Sequence, residues 1–92
     1  MFELLKTLAD AYGATGRETK VANVIEGLVR EHVDSVRRDN LGNLICIKNG
    51  TDPNGKRIML SAHMDHIGFI VAAVEKEGFL RVASVGGIGL NV

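Results

Sequence analysis

The sequence predicts an α/β fold that runs helix, helix, then strands. Three observations predict it. Apolar residues recur at helical spacing up to about residue 32, and from Ser35 the period switches to two. Later, Lys56-Arg57-Ile58-Met59-Leu60 leads through an almost continuous apolar run to Ser61-Ala62-His63, between turn residues. Such a run marks a strand buried on both faces of a helix-covered sheet.

Residues 1–12 predict a first helix, with Phe2, Leu5, Leu8 and Ala9 on one face and Glu3, Lys6 and Asp10 outside it. Gly13-Ala14-Thr15-Gly16 ends it. Thr15 and Glu18 then have the Ser/Thr-x-x-Glu spacing of a capping box, which predicts a second helix from about Arg17 to His32. Its core stripe is Val21, Val24, Ile25, Leu28 and Val29, with Arg30 and His32 in the last turn, where they suit the helix dipole. Residues 35–39 and 43–48 flank Asn40-Leu41-Gly42 as a hairpin, and Asn49-Gly50-Thr51-Asp52-Pro53-Asn54-Gly55 is a turn. Two more strands are expected at about 56–63 and 68–75. Lys76-Glu77-Gly78 then turns the chain back into Phe79-Leu80-Arg81-Val82-Ala83-Ser84-Val85.

Composition narrows the function. With 92 residues, eleven basic and eleven acidic, the chain has no net charge and so no electrostatic footprint for nucleic acid or an anionic membrane. Four aromatic residues and no Trp offer little for base stacking. The longest apolar stretch, Ile67 to Val74, is too short to span a bilayer, and the first residues lack the layout of a signal peptide. The single cysteine, Cys46, predicts a reduced, cytoplasmic setting and reads as a small core residue within a strand. The final run, Val85-Gly86-Gly87-Ile88-Gly89-Leu90-Asn91-Val92, is apolar and uncharged, and predicts a chain that continues in a longer protein. Its glycines read as turn or bulge positions, since no Gly-Lys-Ser/Thr ending follows.

The densest chemistry lies in Ser61-Ala62-His63-Met64-Asp65-His66-Ile67-Gly68. His63 and Asp65 are polar groups at the mouth of a strand whose pattern asks for apolar ones, so each needs a partner. A metal ion would explain both, because imidazole is the commonest ligand of divalent metals and its second nitrogen usually donates to a carboxylate. A plain hydrogen-bonded pair at a strand end is the alternative. The carboxyl end of a buried strand is where open α/β sheets place ligands. His66 is either a further ligand or a residue turned out of the site, and its position just before Ile67-Gly68 favours the second. His32 is accounted for as a helix-terminal residue.

Several segments in register carry a resemblance over all 92 residues. They are Gly13-Ala14-Thr15-Gly16-Arg17-Glu18, Arg38-Asp39-Asn40-Leu41-Gly42-Asn43-Leu44, Ile58-Met59-Leu60-Ser61-Ala62-His63-Met64-Asp65 with Ile67-Gly68-Phe69, and Val85-Gly86-Gly87-Ile88. The chain resembles the N-terminal part of the dinuclear-metal aminopeptidases, the glutamyl and tetrahedral aminopeptidases, some members of which are labelled endoglucanases.

The resemblance implies that residues 1–68 are the N-terminal part of a zinc-peptidase-like catalytic α/β domain. Residues 69–92 would be the first strands of an inserted, β-barrel-like dimerisation domain. It implies that His63 is a ligand of one of two divalent metal ions, zinc or cobalt, and that Asp65 is the catalytic-site carboxylate that orients it. At most one weak metal site is then expected within these 92 residues, and the chain alone is expected to be inactive. The substrate would be a peptide losing its N-terminal residue, and the full-length protein a dimer-based homo-oligomer, up to a dodecamer. His66 stands where the family usually carries Glu. A non-catalytic self-association piece, with His63 and Asp65 merely bonded to each other, is the competing reading. Glycoside hydrolysis needs two carboxyls flanking a sugar-sized cleft, and the sequence identifies no such pair.

Overall fold

A computed structural model describes residues 1–89. Helix α1 (Phe2–Asp10) carries a Lys6–Asp10 ion pair at 2.7 Å on its exposed side and ends where Ala11 turns extended. Helix α2 (Thr19–Val29) tightens into a 3-10 turn over Arg30–His32.

The expected capping box does not form. Gly16, at φ +80, folds residues 14–17 into a turn closed by the Arg17 N–H on the Ala14 carbonyl at 2.8 Å. Glu18 becomes the residue before the helix, and its carboxylate accepts from the Gly16 N–H at 2.6 Å. The Thr15 hydroxyl, left four residues ahead of the helix, bonds elsewhere.

Strands β1 (Ser35–Arg38) and β2 (Leu44–Ile47) form the expected antiparallel hairpin, with Ser35 opposite Ile47 and Arg38 opposite Leu44. Asp39 organises its turn, taking the Leu41 and Asn43 N–H groups on one carboxylate oxygen at 3.0 and 2.9 Å. Gly42, at φ +88, supplies the left-handed residue. Arg38 ties the hairpin to α2 through Asn23 at 2.7 Å and Glu26 at 2.9 Å, and Glu26 also pairs with Arg30. Of the expected stripe on α2, Val21 is buried at 3 % exposure together with Ala22 at 2 %, whereas Leu28 is exposed. Cys46 is exposed in β2 rather than buried, because nothing among the described residues covers that face.

The strand expected at 56–63 is absent. The segment belongs to no helix or strand, and Ile58, Met59 and Leu60 are 85 %, 88 % and 93 % exposed. A strand is defined by its ladder, and a doubly buried one needs neighbours on both edges and covers on both faces. The β1–β2 hairpin supplies neither.

Strands β3 (Gly68–Val74) and β4 (Leu80–Val85) form a second antiparallel sheet, turned by residues 75–79 with Gly78 at φ +90. A bulge falls between Val71 and Ala73. It changes which side chains share a face. Directly opposed residues lie on one side of an antiparallel pair, so Phe69–Ser84, Val71–Val82 and Val74–Leu80 stand together. Without the extra residue Val74 would leave that face, since a one-residue shift reverses every side chain beyond it. Phe69, Val71, Val74, Leu80 and Val82 thus make one apolar, exposed face. Of the apolar positions expected to continue it, Leu90 and Val92 lie outside the described residues. Gly86, at φ +86, opens a turn closed by the Ile88 N–H on the Gly86 carbonyl, as expected of a turn glycine.

The radius of gyration is 17.9 Å and the extents are 64 × 27 × 26 Å. A compact chain of this length would have a radius near 12 Å. The two small sheets do not share a ladder.

Candidate functional site

The site forms where the loop after α1 meets the chain just before β3. Ala14 and His66 make an isolated parallel bridge, with the His66 N–H on the Gly13 carbonyl at 2.9 Å and the Thr15 N–H on the His66 carbonyl at 3.3 Å. The Val21 N–H, at the start of α2, bonds the Tyr12 carbonyl at 3.1 Å and so binds the helix to the same loop. Only glycine fits at position 13. A Cβ there would stand 2.6 Å from Val21 Cγ1 and 3.0 Å from Val21 Cβ.

The His66 ring lines the same groove as His63 and Asp65, and backbone groups occupy both of its nitrogens. Its Nε2 accepts from the Gly13 N–H at 3.0 Å, and its Nδ1 lies 2.8 Å from the Ile67 carbonyl, which can only accept. The Ala11 carbonyl also lies 3.3 Å from Nε2, so the ring sits among three backbone groups, two carbonyls and one N–H. The ring therefore fastens the loop rather than offering a ligand.

His63 and Asp65 come together as the sequence predicted. Nδ1 of His63 lies 3.0 Å from Asp65 Oδ1 and 3.0 Å from the Asp65 carbonyl. Both neighbours are acceptors, so Nδ1 carries the proton, and in the neutral ring the lone pair is then on Nε2. The premise of burial fails, however. The His63 side chain is 85 % exposed and Asp65 33 %, because the sheet expected around them is not formed. What constrains Asp65 is a residue that the capping-box reading had assigned elsewhere. The Thr15 hydroxyl donates to Asp65 Oδ2 at 2.7 Å. That bond first, and then the one from His63, holds the Asp65 carboxyl below its ordinary value of 3.8. The signal for Thr15 was its place in the Gly13–Glu18 segment, but local spacing pointed it at the helix.

Leu8, Ile25 and Met64 line the apolar wall of a groove whose polar side is His63, Asp65 and His66. The donor chemistry fits one metal ligand, an exposed imidazole whose Nε2 has no partner among the described residues and a carboxylate behind it. Among the described residues no cluster of three or more His, Cys, Asp and Glu is placed to hold a metal ion.

Solved structures sharing this fold include several aminopeptidases. An aminopeptidase from the archaeon Desulfurococcus kamchatkensis superposes with a TM-score of 0.82 at 40 % identity, over 94 % of this chain and 24 % of its own. A Thermotoga maritima crystal structure described as an endoglucanase gives 0.80 at 42 %, over 91 % of this chain and 27 % of its own. By sequence, a putative aminopeptidase of Acetivibrio thermocellus is 43 % identical over 88 residues, 96 % of this chain and 26 % of the relative. A lysyl aminopeptidase of Pyrococcus furiosus is 34 % identical over 88 residues, 95 % of this chain and 25 % of the relative. The profile of the M42 glutamyl aminopeptidases matches residues 42–92, and the chain belongs to that family. It spans about a quarter of the length of these relatives.

Proposed function

We propose that a chain of the relatives' full length carrying this sequence is a cytoplasmic metalloaminopeptidase that removes N-terminal residues from peptides. The observation that carries the reading is His63, with Nδ1 held by Asp65 and Nε2 without a partner among the described residues, in a member of the M42 family. His63 would hold one of two divalent metal ions, zinc or cobalt, and Asp65 would fix its tautomer and orientation. When bound, such ions polarise a scissile carbonyl and acidify a water molecule. Residues 1–68 would belong to the catalytic α/β domain, and residues 69–92 would begin an inserted β domain that forms dimers and higher oligomers. The lone Cys46 suits a reducing compartment.

Elemental analysis and release of an aminoacyl chromophore test the reading in the full-length chain. His63→Ala should lose a metal ion and nearly all turnover, and Asp65→Asn should lose about 10–100-fold in metal affinity or activity. Two metals per chain and unchanged turnover in both variants would overturn it. The 92-residue chain alone should be inactive, since among the described residues no second ligand set stands near His63. Release of chromophore by that chain, abolished by His63→Ala, would contradict this part. The apolar face of β3 and β4 favours a second reading, a self-association piece in which the His63–Asp65 pair is only structural. Wild-type turnover in the His63→Ala variant would favour it.

A further inference from the structure

The Gly13–Thr15 loop bonds the chain at Asp65 and His66 through four hydrogen bonds. The Gly13 carbonyl takes the His66 N–H, the Gly13 N–H goes to the His66 ring, the Thr15 N–H goes to the His66 carbonyl, and the Thr15 hydroxyl goes to Asp65. We propose that Thr15 is a positioning residue: its hydroxyl locks the Asp65 carboxylate, and through it holds the His63 imidazole in the Nδ1–H tautomer with Nε2 presented to a ligand. The inference rests on the reading of His63 as a metal ligand, and adds a residue to it.

The physical argument concerns rotation. The terminal torsion of an Asp side chain is broad and roughly two-fold, so a carboxylate held through one oxygen can swing. Here the two oxygens have different partners, Oδ2 the Thr15 hydroxyl at 2.7 Å and Oδ1 the His63 ring at 3.0 Å. With Oδ2 held, Oδ1 stays facing Nδ1. Thr15 is in turn placed by its own N–H on the His66 carbonyl and by the His66 ring on Gly13. His63 is exposed and Asp65 half-buried, so water competes for both. A free imidazole in water exchanges between tautomers, and a carboxylate fixed at Nδ1 selects one.

The test uses the 92-residue chain without metal, with 15N-labelled histidine, at a pH where the imidazoles are neutral. Ring nitrogen shifts give the tautomer of His63. Wild type should be predominantly Nδ1–H, Thr15→Val should move His63 toward Nε2–H, and Thr15→Ser should restore the wild-type shifts. Far-UV circular dichroism and unchanged amide shifts across residues 22–29 of α2, the helix packed on Gly13, establish that the variants keep the corner folded. Predominant Nε2–H in the wild type overturns the proposal whatever the variants do. So does a Thr15→Val spectrum identical to wild type, or a Thr15→Ser spectrum as displaced as that of Thr15→Val. Zn2+ is then added to the same samples. Perturbation of His63 Nε2 in wild type, at an affinity about 10-fold weaker in Thr15→Val, supports both links. A tautomer shift without any Zn2+ response at His63 sinks the metal reading and leaves the role of Thr15 standing.

Discussion

The corner around Gly13 and the β3–β4 hairpin solve opposite halves of the folding problem. At the corner, Val21 and Ala22 are buried, Gly13 sits too close to α2 for any Cβ, and backbone and side chains are cross-bonded to His66 and Asp65. The hairpin has a ladder from Gly68–Val85 to Val74–Leu80, interrupted at the bulge between Val71 and Ala73, yet its large apolar side chains stay exposed. Hydrogen bonds of a hairpin are satisfied by a short local turn. Burial of its apolar face needs a second layer. The corner is held by contacts between distant residues, the hairpin by its neighbours in sequence.

The sharpest way to separate the two regions is a methyl group on a different glycine in each. Gly13→Ala drives a Cβ into Val21 and should cost about 1–3 kcal/mol, as overpacking does. Amide exchange should quicken at 13–15, 21 and 66 and stay unchanged at 68–85. Gly78→Ala meets nothing within 4 Å, but its φ of +90 imposes strain of about 1–2 kcal/mol, confined to the hairpin. Should either variant deprotect both regions equally, the chain is one cooperative unit and the contrast is wrong.

A smaller effect on monomer stability, though a visible one on association, is expected from Val82→Lys. Val82 lies at the centre of the face shared by Phe69, Val71, Val74 and Leu80. Exposed apolar faces of this kind drive association, and one inward-pointing charge blocks it. Sedimentation at several concentrations should show self-association of the 92-residue chain, lost in Val82→Lys. Monomer stability should change by no more than about 0.5 kcal/mol. A concentration-independent monomer in the wild type would show that the face is closed by other means.

The smallest effect is that of pH. Because the Asp65 carboxyl is held below its ordinary value by Thr15 and then His63, its bonds stabilise the corner above the unfolded value, near 4. That contribution is lost as pH falls through the still lower folded value. Amides of 13–15 and 66 should therefore lose protection only below about pH 4, and Thr15→Val should flatten the dependence. A loss of protection already complete near neutral pH would assign it to another group.

The sequence by itself determined both helices, both hairpins with their turn glycines, the pairing of His63 with Asp65 and the family. These are local: they follow from spacing, from turn chemistry and from a two-residue separation in one segment. Only the tertiary structure decided the rest. Thr15 and Glu18 have the spacing of a capping box, but Gly16 in the left-handed region turned Thr15 toward Asp65, fifty residues away. Residues 56–63 have the composition of a buried strand and remain unpaired, because a strand is made by its neighbours and not by its own side chains. The bulge between Val71 and Ala73 set which apolar residues share a face, a property of register that alternation alone does not carry.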